Sequence, residues 1–500
     1  MRQIYFTVVL TVLALIFSGA NGLMAQQQMT FENSWGADGY SVISTKANST
    51  TINYSVSEIT ITDLEVGDAT MKELSLPGEF LPNNQGAPNL PGSGRYLALP
   101  QGAQATVNII SSRKEVIQNI EIAPSPEIPW DNENKPLVYE KDQSIYSADA
   151  LYPATPVIIS EKTTIRGIDA VVVGVTPFQY NPVTKELTIY TDIQFEVTVD
   201  GGNGQFGDPG YRSRFWDPML SDMMLNYSEL PEIDYSKRAS NAKDVTGCEY
   251  LIVSPNGDDF TAWADSIRRF RNKQGIFTKV VTLEEIGTNS ASGLEDYFND
   301  AYNNWDIKPA AVLLLGDYGS NASSQITSPT WDNYCVSDNI YADVTNNDMP
   351  DMVFARITAR DADELELMIM KFINYETNPP VSEDFYNHPI TALGWQTERW
   401  FQICSETVGG FWKNELGKDP VRINAVYGGN PSNDPWSTAT NTYTVLNVFG
   451  PNGLGYIPAS PSELGGWTGG TSTMVTNAIN DGAFMLQHRD HGYEEGWGEP

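Results

Sequence analysis

Two rhythms of apolar and polar positions divide the chain. From about Met29 to Val199, short β-rich runs at 51–56, 105–110, 156–159, 170–175 and 187–197 are broken by turns with frequent Gly and Pro. Apolar residues alternating with polar ones at period two predict an all-β sandwich or barrel. From Cys248 onward the grammar changes. Apolar runs at 249–254, 277–281 and 310–317 alternate with helical stretches at 259–273 and about 291–304. That alternation predicts a parallel sheet with helices on both faces. A further helix is expected from Ala359 through Tyr375, acidic at its first turn and apolar at Leu365, Met368, Ile369 and Phe372. Runs at 390–395, 421–426 and 483–488 then read as strands of a second, similar sheet.

The boundary between the two grammars is Gly-rich, from Asp200 to Gly210, and is followed by an exposed linker in which Lys237-Arg238 offers a dibasic processing point. The expected organisation is therefore a signal peptide over 1–25, a β-rich domain over 26–199, a linker over 200–245, and α/β subdomains over 246–385 and 386–500, the last incomplete at its carboxyl end. Residues 4–17 are uncharged and rich in Val and Leu, followed by small residues up to Ala25. Such a run is too short for a membrane span and marks export. No other stretch is apolar enough to cross a bilayer.

Composition narrows the partners. With 63 acidic against 30 basic residues the formal net charge is −33. Nucleic acid and anionic membranes would be repelled by such a surface. Three cysteines, Cys248, Cys335 and Cys404, are too few for a disulfide framework.

The chemistry is concentrated near Pro500. An apolar run from Ala483 leads into His491-Gly492, which places a histidine at the carboxyl end of a strand, where open α/β sheets bind ligands. Gly492 lets a substrate come close and has an N–H to offer a developing oxyanion. Only three histidines occur in 500 residues: His388, His488 and His491.

These residues resemble the gingipain family of bacterial cysteine endopeptidases. The likeness runs through Tyr250-Leu-Ile-Val, Arg271 to Val281, Leu313 to Asp317, Ser337 to Tyr341, Ala355-Arg356-Ile357, and His491-Gly492 with Trp497 downstream. The β-rich region, with 88–103 and 176–182, is similar to that family's inhibitory propeptide. The resemblance implies an α/β caspase-like fold in two subdomains, preceded by an all-β propeptide domain. It implies that His491 takes the proton of a cysteine thiol and returns it to the leaving amine, with the Gly492 amide in the oxyanion hole. Glu398 matches the carboxylate that orients the histidine. Glu406 falls near the acidic base of the specificity pocket, with Trp497 also at the substrate, so that cleavage after Arg or Lys would follow. None of the three cysteines matches the nucleophile, which is expected beyond residue 500.

A calcium site is a further expectation. Asp317 ends a strand and 343–351 is an oxygen-rich loop suited to a hard cation. The family binds Ca²⁺ at positions matching Asp317, Asp348 and Asp351, with a carbonyl near Thr345. The alternative is an Asx-turn loop without an ion. Three rival readings stand beside the peptidase: a zinc hydrolase built on His488 and His491 with Glu494 and Glu495, a sorting or maturation transpeptidase of the same fold, and a catalytically inactive surface binding protein. The leading expectation is a zymogen that acts on proteins or peptides, secreted or held at the cell surface through a region beyond Pro500.

Overall fold

The computed structural model describes residues 26–32, 34–46, 48–77, 84–127, 137–236, 245–320, 322–439, 442–467, 469–493 and 496–498. The expected signal peptide and the Lys237-Arg238 processing point lie outside the described residues.

The first part of the chain is strand-rich, as its period-two pattern predicts. Its strands are β1 (Gln26–Thr30), β2 (Gly39–Lys46), β3 (Ser49–Ser55), β4 (Glu58–Val66), β5 (Ala69–Ser75), β6 (Ser93–Ala98), β7 (Gln104–Ile117), β8 (Val157–Ile159), β9 (Thr163–Ile165), β10 (Ile168–Val175), β11 (Phe178–Asn181) and β12 (Glu186–Asp200). They pair antiparallel in the orders β1-β4-β5, β6-β10-β8 and β11-β12-β3-β2, with β7 also on β12 and β9 on β10. The inward-facing set, including Ile52, Leu97, Val173, Phe178, Ile193 and Phe195, closes one core. Burial of these side chains is the main force holding the domain, at about 25 cal/mol per Å² removed from water.

The second part is α/β. β13 (Tyr250–Ser254), β14 (Thr278–Thr282), β15 (Ala311–Leu315) and, after the two-residue strands β16 (Asp317–Tyr318), β17 (Gln325–Ile326), β18 (Thr330–Trp331) and β19 (Cys335–Val336), β20 (Val353–Ile357) form a parallel sheet in the order β14-β13-β15-β20. Its strands are apolar on both sides because both faces are covered. Helices α1 (Asp258–Lys273) and α3 (Ala362–Thr377) bury Phe260, Ile267, Leu365 and Ile369 against Ile252, Leu313 and Leu315. Helix α2 (Ala291–Asn304) buries Leu294 and Phe298 against Leu251, Val253, Val312 and Leu314 on the other face. Asp361 caps α3 by accepting from the Glu364 amide, with Asp363 and Glu364 in the first turn.

A second, three-stranded parallel sheet follows, in the order β22-β21-β23: β21 (Ile390–Gln396), β22 (Val421–Gly428) and β23 (Leu486–Arg489). All seven residues of central β21 are buried. Helix α4 (Phe401–Asn414) covers one face, where Leu393, Trp395, Ile403, Trp436 and Ile457 pack together. After α5 (Thr442–Phe449), helix α6 (Ser472–Asp481) lies by the other face.

Two joints tie the strand-rich part to the α/β part. In the tight β9–β10 turn, Arg166 and Gly167 both take positive φ, +48° and +74°. That turn projects the buried Arg166 guanidinium, whose Nε and Nη2 donate to the Tyr211 carbonyl at 3.0 and 2.6 Å and whose Nη1 donates to the Asp351 carbonyl at 2.7 Å. The second joint is at β5, where Asn447 of α5 donates to the buried Glu73 carboxyl at 3.4 Å.

Candidate active site

The site lies at the carboxyl edge of the second sheet. β23 runs parallel to β21 with His488 opposite Ala392 and Arg489 opposite Leu393. The strand ends at Arg489, and His491 stands two residues further on. The side chain of Asp490 turns over Gly394, where even a Cβ would overlap its carboxylate, so any other residue at that point of β21 would have to displace Asp490. Asp490 Oδ1 in turn accepts the His491 amide at 2.7 Å.

His491 is held at its backbone and at its ring. Asp490 fixes its backbone, Phe401 meets the ring edge-to-face at 5.2 Å between centroids, and Gln396 Oε1 lies 3.3 Å from Nε2. Beyond His491 the chain folds into a small hairpin of β24 (Gly492–Tyr493) and β25 (Gly496–Trp497), closed by the Gly498 amide donating to the His491 carbonyl at 2.9 Å. That bond makes Gly492 and Trp497 a non-hydrogen-bonded pair of the ladder. The Gly492 N–H therefore points away from the hairpin, and a Cβ there would meet nothing within 4 Å. Sequence reasoning expected this His-Gly pair at a strand end, and the structure places it there.

Beside the hairpin is a cavity of about 400 Å³, floored by Ala392, Ile423 and Ala425 and walled by Tyr427, His488, Asp490 and Trp497. Trp497 stacks on His488 with ring centroids 4.2 Å apart and planes 14° from parallel. Both ring nitrogens of His488 are shielded from solvent with no hydrogen-bond partner among the described residues.

Two expected side chains sit elsewhere. Glu398 is exposed, two residues past the end of β21, and makes no hydrogen bond among the described residues. The group that reaches the imidazole is Gln396, the last residue of β21. Glu406 is buried on α4, and its carboxylate accepts from Arg422 Nε at 2.9 Å to both oxygens and from Nη2 at 2.7 Å. Burial pushes this carboxyl above the ordinary glutamate range, and the guanidinium opposes that rise. The rest of Arg422 is also engaged, with Nη1 on the Gly465 carbonyl at 3.0 Å and the guanidinium over the Trp467 ring. A carboxylate saturated in this way is a strut inside the subdomain, not the base of a specificity pocket.

None of the three cysteines is hydrogen-bonded to His491 among the described residues. Cys248 is fully buried at the foot of the first sheet, and burial pushes its thiol up to about 12. Cys404 is half-buried on α4 and also raised by burial, while Cys335 is exposed in a β hairpin.

The residues proposed for calcium do not converge. Asp317 accepts its neighbour's amide from Tyr318 at 2.8 Å, and Asp351 accepts from the Thr345 amide at 2.9 Å and the Tyr302 hydroxyl at 3.2 Å. Asp343 takes the amides of Asn347 and Asp348. Among the described residues no group of three or more His, Cys, Asp or Glu side chains is placed to hold a metal ion. As folded, this loop fits the hydrogen-bonded turn better than an ion cage. The same geometry speaks against a zinc centre on His488 and His491, since one ring is stacked on Trp497 and the other turns to Gln396. Glu494 and Glu495 lie outside the described residues.

Comparison with known proteins finds relatives along most of the chain. The chain is 24% identical to gingipain R1 of Porphyromonas gingivalis over 429 residues, covering 83% of this chain and 37% of the relative. Gingipain R2 of the same organism is 23% identical over 91% of this chain and 56% of its own length, and Lys-gingipain 21% over 90% and 24%. The chain thus spans between about a quarter and just over half of these relatives. Among solved structures, the Arg-specific cysteine proteinase gingipain R matches 51% of this chain and 49% of its own at 17% identity with a TM-score of 0.36. A complex of Porphyromonas gingivalis RgpB pro- and mature domains matches 38% of this chain and 96% of its own, with a TM-score of 0.34. The model of the family's propeptide matches residues 33–207, that of the peptidase domain matches residues 243–500, and the chain belongs to peptidase family C25.

Proposed function

We propose that this chain is the front part of an exported cysteine endopeptidase made as a zymogen. His491 acts in proton transfer, and the Gly492 amide faces the oxyanion of the tetrahedral intermediate. The observation that carries this reading is the pairing of a firmly held imidazole with a backbone N–H that its own hairpin leaves unused, both at the carboxyl edge of a parallel sheet. In such a mechanism a thiol gives its proton to the imidazole, the thiolate attacks the scissile carbonyl, and the imidazolium protonates the leaving amine. None of the three cysteines here is hydrogen-bonded to His491 among the described residues, and on this reading the nucleophile comes from outside them.

Latency follows from the strand-rich domain, which is anchored to the α/β part through Arg166 and Glu73 and would shield the cleft until a cut in the linker at Lys237-Arg238. Export rests on the amino-terminal sequence; among the described residues no helix is long and apolar enough to cross a membrane. Selectivity for Arg or Lys, if encoded in these residues, rests on the cavity, where a long cationic side chain would lie along Ala392 and Ile423 and meet Asp490 between the rings of Tyr427 and Trp497.

The test uses the intact protein, activated by cleavage of the linker. His491→Ala is expected to reduce cleavage of peptides bearing Arg or Lys by at least about 10³-fold, with unfolding unchanged. Retention of wild-type rates would remove His491 from the mechanism. A thiol-blocking reagent should abolish the activity while a chelator spares it; the reverse pattern would favour the metal hydrolase.

A further inference from the structure

The geometry points to Gln396 as the positioning residue of His491, holding the imidazole in the tautomer whose free lone pair is on Nδ1. The inference rests on the reading of His491 as the proton-transfer group. It goes beyond that reading by naming which nitrogen works and by making its partner uncharged.

Gln396 is well placed for this. It ends central strand β21, is only 7% exposed, and its carbonyl accepts from Gln402 Nε2 at 3.0 Å, which ties the strand end to α4. Its side-chain oxygen is 3.3 Å from His491 Nε2. With the Gln396 amide turned as it is here, its oxygen towards the ring, the oxygen accepts, the proton is on Nε2, and Nδ1 is left as the base. His491 Nδ1 has no hydrogen-bond partner among the described residues, so it is free for the thiol. The backbone bond from Asp490 and the ring contact from Phe401 remove the remaining freedom of the imidazole.

The absence of charge matters as much as the position. A carboxylate at that distance would strongly favour the imidazolium, whereas an amide oxygen orients the ring and stabilises its positive form much less. The charged groups nearby are Asp490, whose Oδ1 is engaged by the His491 amide, and Arg489, whose guanidinium lies 6.0 Å from the centre of the Phe401 ring. Glu398 is exposed and not bonded to the ring. A neutral partner therefore favours a base that takes the thiol proton during attack over a preformed thiolate–imidazolium pair.

The experiment reads the imidazole directly and needs no cleavage. With three histidines in 500 residues, ¹⁵N-histidine labelling of this chain gives three ring spin systems, assigned by His388→Ala and His491→Ala. The wild type should show His491 protonated on Nε2 in its neutral form. Gln396→Leu should give a mixture of tautomers, and Gln396→Glu should raise the His491 pKa by about one unit or more. Unchanged His388 and His488 signals would certify the fold of each variant. A neutral His491 carrying its proton on Nδ1, or a tautomer indifferent to Gln396→Leu, would overturn the proposal. In the activated enzyme, Gln396→Glu should move the acid limb of kcat/KM upward by the same shift, and an unmoved limb would count against it. Loss of the catalytic reading for His491 would appear in the His491→Ala cleavage assay, separately from the tautomer.

Discussion

Glu73 makes the joint between the strand-rich domain and the α/β part sensitive to pH. Its carboxyl is 8% exposed, faces Asn447 of α5, and lies close enough to Tyr139 that its charge would raise that phenol; its strand neighbour Lys72 points to the opposite face and pairs with Asp63. Burial is the larger effect on Glu73 and the Asn447 amide the smaller, opposing one; together they raise its pKa from 4.5 to about 7. Because the folded value is the higher one, the docked state binds the proton more tightly than the unfolded chain. Stability from this group is therefore full below about pH 4.5, falls as pH rises towards about 7, and is flat beyond. A displacement of about 2.5 units corresponds to about 3 kcal/mol. Glu73→Gln keeps the shape and an oxygen for Asn447 but never ionises. It should add about 3 kcal/mol near pH 8 and almost nothing near pH 4. The assay is chemical denaturation of the uncleaved chain across that pH range, following the difference between variant and wild type so that other titrations cancel. A Glu73→Gln gain that is equal at both ends, or absent at the alkaline end, would refute the argument.

Two further outcomes follow from the second subdomain. Arg422→Met should destabilise by about 3–5 kcal/mol, because it leaves the Glu406 carboxylate buried and unpaired, while Glu406→Leu with Arg422→Met should recover most of that loss; equal costs for the single and double variants in denaturant would contradict it. Gly394→Ala should displace Asp490 from the His491 amide and cost about 1–3 kcal/mol. The ¹⁵N ring signals of His491 should shift with it, and an unchanged spectrum would show that the Asp490 contact does not hold the loop.

Much of the architecture was legible because burial writes itself into local pattern. β13, β15 and β21 are covered on both faces and read as continuous apolar runs; β7 alternates between intermediate and exposed and reads as a half-covered strand. Helix α3 begins at its Asp361 cap, two residues inside the stretch predicted from Ala359, and ends at Thr377. The run predicted from Ala483 enters the sheet only at Leu486, since the Phe484 amide is spent on the Phe385 carbonyl before the strand begins.

The site was harder to read, for a reason that Glu398, Gln396 and Glu406 make concrete. Which residue touches His491 depends on the register between β21 and β23, segments some ninety residues apart in sequence, and a strand's side chains change face at every step. The resemblance points to Glu398, past the strand end, whereas the side chain that reaches His491 is the amide of Gln396. Glu406 failed as a pocket acid through the same blindness: its guanidinium partner is on β22, sixteen residues on, and only the packing of α4 against that sheet brings Arg422 to it. What local sequence did supply was the backbone signal, His491-Gly492, because a glycine amide freed by a hairpin needs no distant partner to be placed. The working parts of this site thus divide by range. Those that act through their own backbone could be read from neighbouring residues, and those that act through a side chain's partner required the fold.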